Sequence, residues 1–346
     1  MKGFNFNDWA FINPPPLPAG VTAPPPPLTR ELYAAPLADE SLKNLAATGA
    51  NWIAMQVLIW QETIASTEVT RHQRATASDT ALRRMIGLAH SLGIRVMLNP
   101  NMQLVQGDHT QIGSAFTTEA QWQAWFASYR QVLVYYATLA QDAGVDIFYI
   151  GNELANTVQR EEDWRRVAQE VRQVYKGPII YEATTTGNFR KNVAQTEDQD
   201  VKWWDAVDYI GVLGYFPLTQ SNNPTVEELK SAWVNRGYLS SLEDLSQKFQ
   251  KPIIISEIGY QSADGTNTYP ANFPRLAQAP SDLQEQADCY QAALEVLWGK
   301  PWLAGIFWFQ WFIRPNEPGL IGNKDKNESP RGKPAEEVVK KFYLSQ

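Results

Sequence analysis

Two glutamates carry the strongest chemical signal in this chain. Glu153 closes the run VDIFYIGNEL and Glu257 lies in PIIISEIGY, so each carboxyl follows an apolar, β-branched stretch that would bury it. Burial of a carboxylate is costly unless hydrogen bonds or a counter-charge offset it. A facing pair of carboxyls can cleave a glycosidic bond. At a separation of about 5–5.5 Å one serves as nucleophile and the other as acid and then base, with retention; about 6.5–9.5 Å admits a water and gives inversion. The alternative for either glutamate alone is a loop cap or a partner for Lys or Arg.

Other chemistries lack their residues. His72, His90 and His109 are far apart and fit no HExxH or His-x-His spacing, so no catalytic zinc is expected, and His109 reads as a solvated loop histidine. For His109, in the third βα loop, the alternative is contact with substrate. There is no GxSxG elbow, Walker loop or GxGxxG, and no cofactor is expected. The single cysteine, Cys289, excludes an intrachain disulfide and a thiolate cluster and reads as core packing. Thirty Lys and Arg against 37 Asp and Glu leave a net charge of −7, so no basic field exists to hold nucleic acid or an anionic membrane. No apolar run is long enough to span a bilayer, and Met1-Lys2 leads into a strand pattern rather than a leader. That favours a cytoplasmic protein over one exported with its leader removed, and a monomer is expected. Thirteen Trp and 14 Tyr suit either a ligand with flat apolar faces or a large aromatic core.

The elements that must position the glutamates are legible as eight short apolar runs: 3–7, 52–59, 94–99, 145–150, 178–183, 209–214, 252–258 and 303–309. Longer helical patterns separate them, which is the alternation of parallel strands with crossover helices. Capping boxes are expected at Ser281 with Gln284 and at Thr225 with Glu228, and Gly49, Gly93, Gly144 and Gly177 sit where left-handed helix ends are wanted. With no repeat or linker to divide it, residues 1–346 read as one α/β domain, a closed (β/α)₈ TIM barrel with elaborated βα loops. The most distinctive loop is the proline-rich segment 13–28, which reads as a stiffened βα loop.

In such a barrel the functional residues gather at the C-terminal strand ends. Beside the two glutamates, Asn5, Asn7 and Trp9 after strand one, Trp60 after strand two, Asn99 and Asn101 after strand three and Glu182 on strand five are candidates to line sugar subsites. Each asparagine has a local alternative in satisfying loop backbone, and Glu182 in pairing with a cation inside the barrel.

Asn-Glu closing strand four and Glu near the end of strand seven resemble clan A of the glycoside hydrolases, and within it family 113. The likeness runs through KGFNF at the start, MLNPN at 97–101, IGNEL at 150–154, DYIGVLGYFPL at 208–218, SEIGY at 256–260, EQA at 285–287, GIFWFQW at 305–311 and GKPAEEV at 332–338. The third-strand segment NPNMQLVQGDHT departs from the Pro-His pattern expected there. The resemblance implies a retaining hydrolase of β-1,4-mannan or manno-oligosaccharides, with Glu153 as acid/base and Glu257 as nucleophile. It further implies that Asn152 bonds the sugar 2-hydroxyl, that Tyr215 orients the nucleophile, and that Trp308 or Trp311 stacks beneath the sugar. Alternation sets those two tryptophans on different faces, so both cannot stack, and Trp308 is preferred. The implied substrate is a β-linked oligo- or polysaccharide; a β-glucanase, an exo-acting β-mannosidase or a non-catalytic glycan-binding barrel would share this frame. A protonated Glu153 beside an ionised Glu257 predicts a bell-shaped pH profile.

Overall fold

The computed structural model describes residues 1–8, 32–71, 76–185, 189–190, 193–194, 196–316, 319, 322–323 and 325–345; Trp9, the proline-rich segment 13–28 and His72 lie outside them. Eight parallel strands close a barrel: β1 (Lys2–Asn5), β2 (Trp52–Thr63), β3 (Arg95–Gln106), β4 (Ile147–Asn152), β5 (Ile179–Ala183), β6 (Tyr209–Leu213), β7 (Ile253–Ile258) and β8 (Leu303–Trp308). Neighbours in the barrel are neighbours in sequence, and β8 returns to pair with β1 through Lys2 opposite Ile306 and Phe4 opposite Trp308. Residues 189–190 and 193–194 pair antiparallel outside the barrel. All eight expected strands form, which establishes the (β/α)₈ barrel.

The helices follow from period and caps. α1 (Pro36–Ala46), α2 (Asp79–Ser91), α3 (Glu119–Ala143), α4 (Glu161–Val174) and the short α5 (Glu197–Asp200) follow β1 to β5 in turn. After β6 come α6 (Val226–Asn235) and α7 (Tyr238–Phe249), after β7 come α8 (Phe273–Gln278) and α9 (Leu283–Leu297), and α10 (Pro334–Leu344) ends the chain's regular structure. Thr225 and Glu228 do form a capping box on α6. The cap of α9 is Asp282 rather than Ser281: its carboxylate accepts from the N–H groups of Gln284 and Glu285, and a charged acceptor suits a helix N-terminus. Gly49, Gly93 and Gly144 take the expected positive φ, but Gly177 does not. There the missing side chain makes room for a neighbour, since a Cβ would stand 2.3 Å from the Tyr175 hydroxyl.

Alternation divides the strand side chains into two cores. Trp52, Ala54, Met97, Ile147, Tyr149, Ile180, Ile254 and Phe307 fill the barrel's interior, whereas Ile53, Met55, Val96, Leu98, Phe148, Ile179, Ile255 and Ile306 face the helices. Gly3 is small because Phe307 occupies its space inside the barrel; a Cβ there would lie 2.4 Å from that ring. Most of the tryptophan is structural: Trp125, Trp164, Trp203, Trp204, Trp233, Trp308 and Trp311 are fully buried. β2 and β3 run well past the expected 59 and 99, pairing from Trp52 opposite Arg95 to Thr63 opposite Gln106. Trp60, Asn99 and Asn101 are therefore strand residues, not loop residues. Among the described residues no helix is long and apolar enough to cross a membrane.

Candidate active site

The strands that lead to the two glutamates both break step near their ends. On β4 the register against β5 runs Tyr149 to Ile180 and then Gly151 to Tyr181, so Ile150 is an extra residue. On β7 the register against β6 runs Val212 to Ile255 and then Leu213 to Glu257, so Ser256 is extra. Such bulges re-aim the side chains that follow. Without the second one, Glu257 would fall on the helix-facing side with Ile253 and Ile255. Each bulge frees a backbone carbonyl, and each carbonyl has a side-chain donor: Tyr129 Oη to Ile150 O at 3.0 Å, and Asn5 Nδ2 to Ser256 O at 3.0 Å. Gly151 is required beside the first, because a Cβ would meet Trp164 at 2.8 Å and the Tyr129 hydroxyl at 3.0 Å.

Glu153 itself sits at φ 51°, a left-handed conformation that costs a non-glycine residue roughly 1–2 kcal/mol. The turn is tied down on both sides. Glu153 N–H donates to Glu182 O at 2.9 Å, and Leu154 N–H donates to the Tyr181 hydroxyl at 3.2 Å. Tyr181 Oη in turn donates to Glu197 Oε1 at 2.5 Å, while Glu197 Oε2 accepts from Thr184 N–H at 2.9 Å. Burial pushes the Glu197 carboxyl up to about 7, with Tyr181 and Thr184 opposing the shift.

Tyr215, just past β6, donates to Glu257 Oε1 at 2.7 Å. Burial, and then the charge of Glu257, raise the Tyr215 hydroxyl well above its ordinary value; Glu328 and Glu153 add to the effect. Glu257 is thus the carboxylate bonded to this hydroxyl, and the charge of Glu153 is felt there more weakly. Glu182 lies between them inside the barrel, 3% exposed. Burial and then the charge of Glu257 hold its carboxyl well above the usual carboxylate range, with Ser256 opposing and Glu153 and Glu197 reinforcing. Among the described residues no ion pair includes Glu182, and the charges that bear most on it are those of carboxylates, so the expected cation partner is not found there.

His109 is not the solvated loop residue that its sequence context suggests. Its Nε2 lies 3.4 Å from Glu153 Oε2, with the side chain 12% exposed. No periodicity marks that loop, so nothing in the sequence points the ring at Glu153. Trp308 and Trp311 do not take the expected place beneath a sugar either. Trp308 faces the helices: it donates from Nε1 to Tyr343 Oη at 3.1 Å and stacks on Tyr290 with centroids 3.9 Å apart. Trp311 donates from Nε1 to Ser41 O at 3.2 Å and packs edge-on to Phe4. Neither offers a face to a sugar. Phe309, just past β8, is on the mouth side, where it packs with Leu213 and Tyr215; the Phe309–Gln310 peptide is cis. By alternation along β2, Trp60 also points to the mouth side and is only partly buried.

The remaining lining is amide. Asn7 Nδ2 and Oδ1, Gln56 Oε1, Asn99 Oδ1, Asn152 Oδ1 and Gln310 Oε1 are buried with no hydrogen-bond partner among the described residues. Buried polar atoms are normally paired with protein, water or ligand, and orphans occur elsewhere in the chain too, but those at this end of the barrel are suited to hydroxyl groups or water. Asn101 is satisfied instead by Gln103 Nε2 at 2.5 Å. Gln56 and Gln310 escape a reading of the sequence because each sits singly among apolar residues. Among the described residues the grouping with metal-ligand spacing is Asp264, Asp282 and Glu285, and it includes none of the mouth carboxylates.

The sequence profile of Glycoside Hydrolase Family 113 matches residues 27–324. A GH113 β-1,4-mannanase solved as a complex superposes with a TM-score of 0.79 at 25% identity, over 100% of this chain and 99% of that one. A second GH113 β-1,4-mannanase gives 0.76 at 27% identity, over 91% and 95%. The GH113 β-mannanase AaManA from Alicyclobacillus acidocaldarius, in complex with ManMIm, gives 0.78 at 24% identity, over 100% and 97%. No curated protein sequence matches. A profile that spans most of the chain, on a barrel whose mouth gathers carboxylates and unpaired amides, leads to one conclusion: the chain belongs to Glycoside Hydrolase Family 113 and is a glycoside hydrolase.

Proposed function

We propose that this enzyme hydrolyses β-1,4-linked mannan or manno-oligosaccharides with retention, using Glu257 as nucleophile and Glu153 as acid/base. The observation that carries the reading is the 2.7 Å hydrogen bond by which Tyr215 holds Glu257 at the end of β7, with Glu153 just past the end of β4 on the same barrel. In the first step a Glu257 oxygen bonds to the anomeric carbon while the glycosidic C–O bond breaks and the leaving oxygen takes the Glu153 proton. In the second, Glu153 removes a proton from water, whose oxygen bonds to the anomeric carbon as the Glu257 ester cleaves. Tyr215 holds the nucleophile through its 2.7 Å bond. The unpaired Asn152 Oδ1, next to Glu153, is suited to accept from the sugar 2-hydroxyl. Mannan as the substrate comes from the GH113 β-1,4-mannanases that the chain resembles.

The test is to incubate the protein with β-1,4-manno- and gluco-oligosaccharides and to follow products and anomer by NMR. Expected are manno-oligosaccharide cleavage with a β-configured first product, and losses of at least about 10²–10⁴-fold in Glu153→Ala and Glu257→Ala. An α-configured first product, or near-normal turnover in either variant, would overturn the assignment.

A further inference from the structure

The loop after β3 brings to Glu153 a side chain that the two-carboxylate mechanism does not use. His109 opens a short 3₁₀ turn, His109–Gln111, and its Nε2 lies 3.4 Å from Glu153 Oε2. That turn is fixed from within: Asp108 Oδ1 accepts from Thr110 N–H at 3.1 Å and from Thr110 Oγ1 at 2.8 Å. It is also fixed to the turn that follows Glu153. Asn156 Nδ2 donates to Thr110 O at 2.7 Å, and Asn156 belongs to the 3₁₀ turn Ala155–Thr157, in which Thr157 N–H and Oγ1 each donate to Leu154 O at 2.8 Å. Gly113, at φ 96°, lets the two turns meet, since a Cβ there would stand 2.8 Å from Asn156 O. Just before it, Ile112 is fully buried in the helix-facing core. The loop that carries His109 is thus docked on the loop that carries Glu153, and the two side chains are only 12% and 11% exposed.

We propose that His109 is a positioning residue for the acid/base: its Nε2–H holds Glu153 Oε2 through both half-reactions, so that the proton given to the leaving oxygen and later taken from water travels on Oε1. The inference deepens the two-glutamate reading and rests on Glu153 as the acid/base. A carboxylate offers only lone pairs, so the contact is a hydrogen bond when Nε2 carries the ring hydrogen. With its proton on Oε1, the acid form keeps an acceptor at Oε2, and the same N–H serves both states. At 3.4 Å the bond is at the long end for N–H···O, and catalytic hydrogen bonds commonly tighten on the way to the transition state. Glu153 has particular need of a hold, because it stands beyond the last residue of β4, at φ 51°, where no strand neighbour fixes its direction. The ionisable groups around the pair are Asp108, 4.0 Å from His109 Nδ1, and Glu182 of β5, Glu197 of α5 and Tyr215 after β6, each of which feels the charge of Glu153. Among them His109 supplies a donor where the others crowd the site with negative charge, and a donor favours the carboxylate form that the second step requires.

The test compares wild type with His109→Phe, which keeps a ring but no donor, and His109→Gln, whose side-chain amide can still donate. On manno-oligosaccharides His109→Phe should lose about 10–100-fold in kcat with little change in KM, and the alkaline limb of its profile should move to higher pH, because the lost donor favoured the ionised Glu153. His109→Gln should keep kcat within about threefold of wild type, with the limb near its original place. His109→Ala gives the same readouts if the larger ring does not fold into the site. Wild-type turnover without the donor, a loss confined to KM, an unmoved alkaline limb, or His109→Gln as impaired as His109→Phe would each overturn the proposal. A final arm adds His109→Phe to Glu153→Ala, where a residue that acts through Glu153 should cost no more than about twofold in kcat. A full further loss in that background overturns the proposal and leaves the acid/base assignment standing, whereas a Glu153→Ala variant with near-normal turnover overturns the assignment itself.

Discussion

At the scale of single residues, the mouth separates groups whose type announces them from groups whose direction decides their use. Glu153, Glu257 and Tyr215 are visible in the sequence because polar residues interrupt apolar strand ends. Removing the 2.7 Å hydrogen bond with Tyr215→Phe should lower kcat/KM by about 10–100-fold, the equivalent of the ~1.5–3 kcal/mol of a hydrogen bond to a charged group. The acid limb should also move to higher pH, because the lost donor favoured the ionised carboxyl. A variant with reduced activity and an unmoved acid limb would make Tyr215 a packing residue. Trp308 shows what residue type alone conceals: in IFWFQW every neighbour but one is aromatic or apolar, so no polar contrast distinguishes the inner from the outer face. Its partners Tyr290 and Tyr343 come from α9 and α10, and only tertiary structure reveals them.

At the scale of elements, all eight strands were readable from apolar runs, while the two bulges were not. An inserted residue leaves composition and hydrophobicity unchanged; Ile150 and Ser256 look like ordinary strand positions. The lengths of β2 and β3 were hidden for a related reason, since their upper ends alternate amides with apolar residues and resemble a loop. Glycine offers the sharpest test of the β4 bulge. Gly151→Ala should destabilise the protein by about 1–3 kcal/mol, because Trp164, Tyr129 and Tyr181 all crowd the new Cβ, and should reduce turnover by displacing Glu153. Urea denaturation together with kcat measures both effects; unchanged values would mean that the strand end has slack.

At the scale of the whole molecule, buried acids set a pH preference for stability. Glu197 titrates near 7 in the fold against 4.5 when free, so between those values the folded chain binds more protons than the unfolded one. Stability should therefore fall by a few kcal/mol as pH rises through that window, with Glu182 acting in the same direction. Thermal melts should show a higher Tm at about pH 5 than at pH 8, and Glu197→Gln should flatten the alkaline decline. An equally steep decline in the variant would assign it to other groups. Asn5 adds a consequence of another kind. It belongs to β1, and the carbonyl that it steadies belongs to β7, two strands away through β8. The aim of Glu257 is thus steadied from the seam where the earliest-made strand meets the latest, and a ribosome-bound chain whose barrel is not yet closed by its eighth strand would hold Glu153, Glu182 and Glu257 without that brace behind the nucleophile.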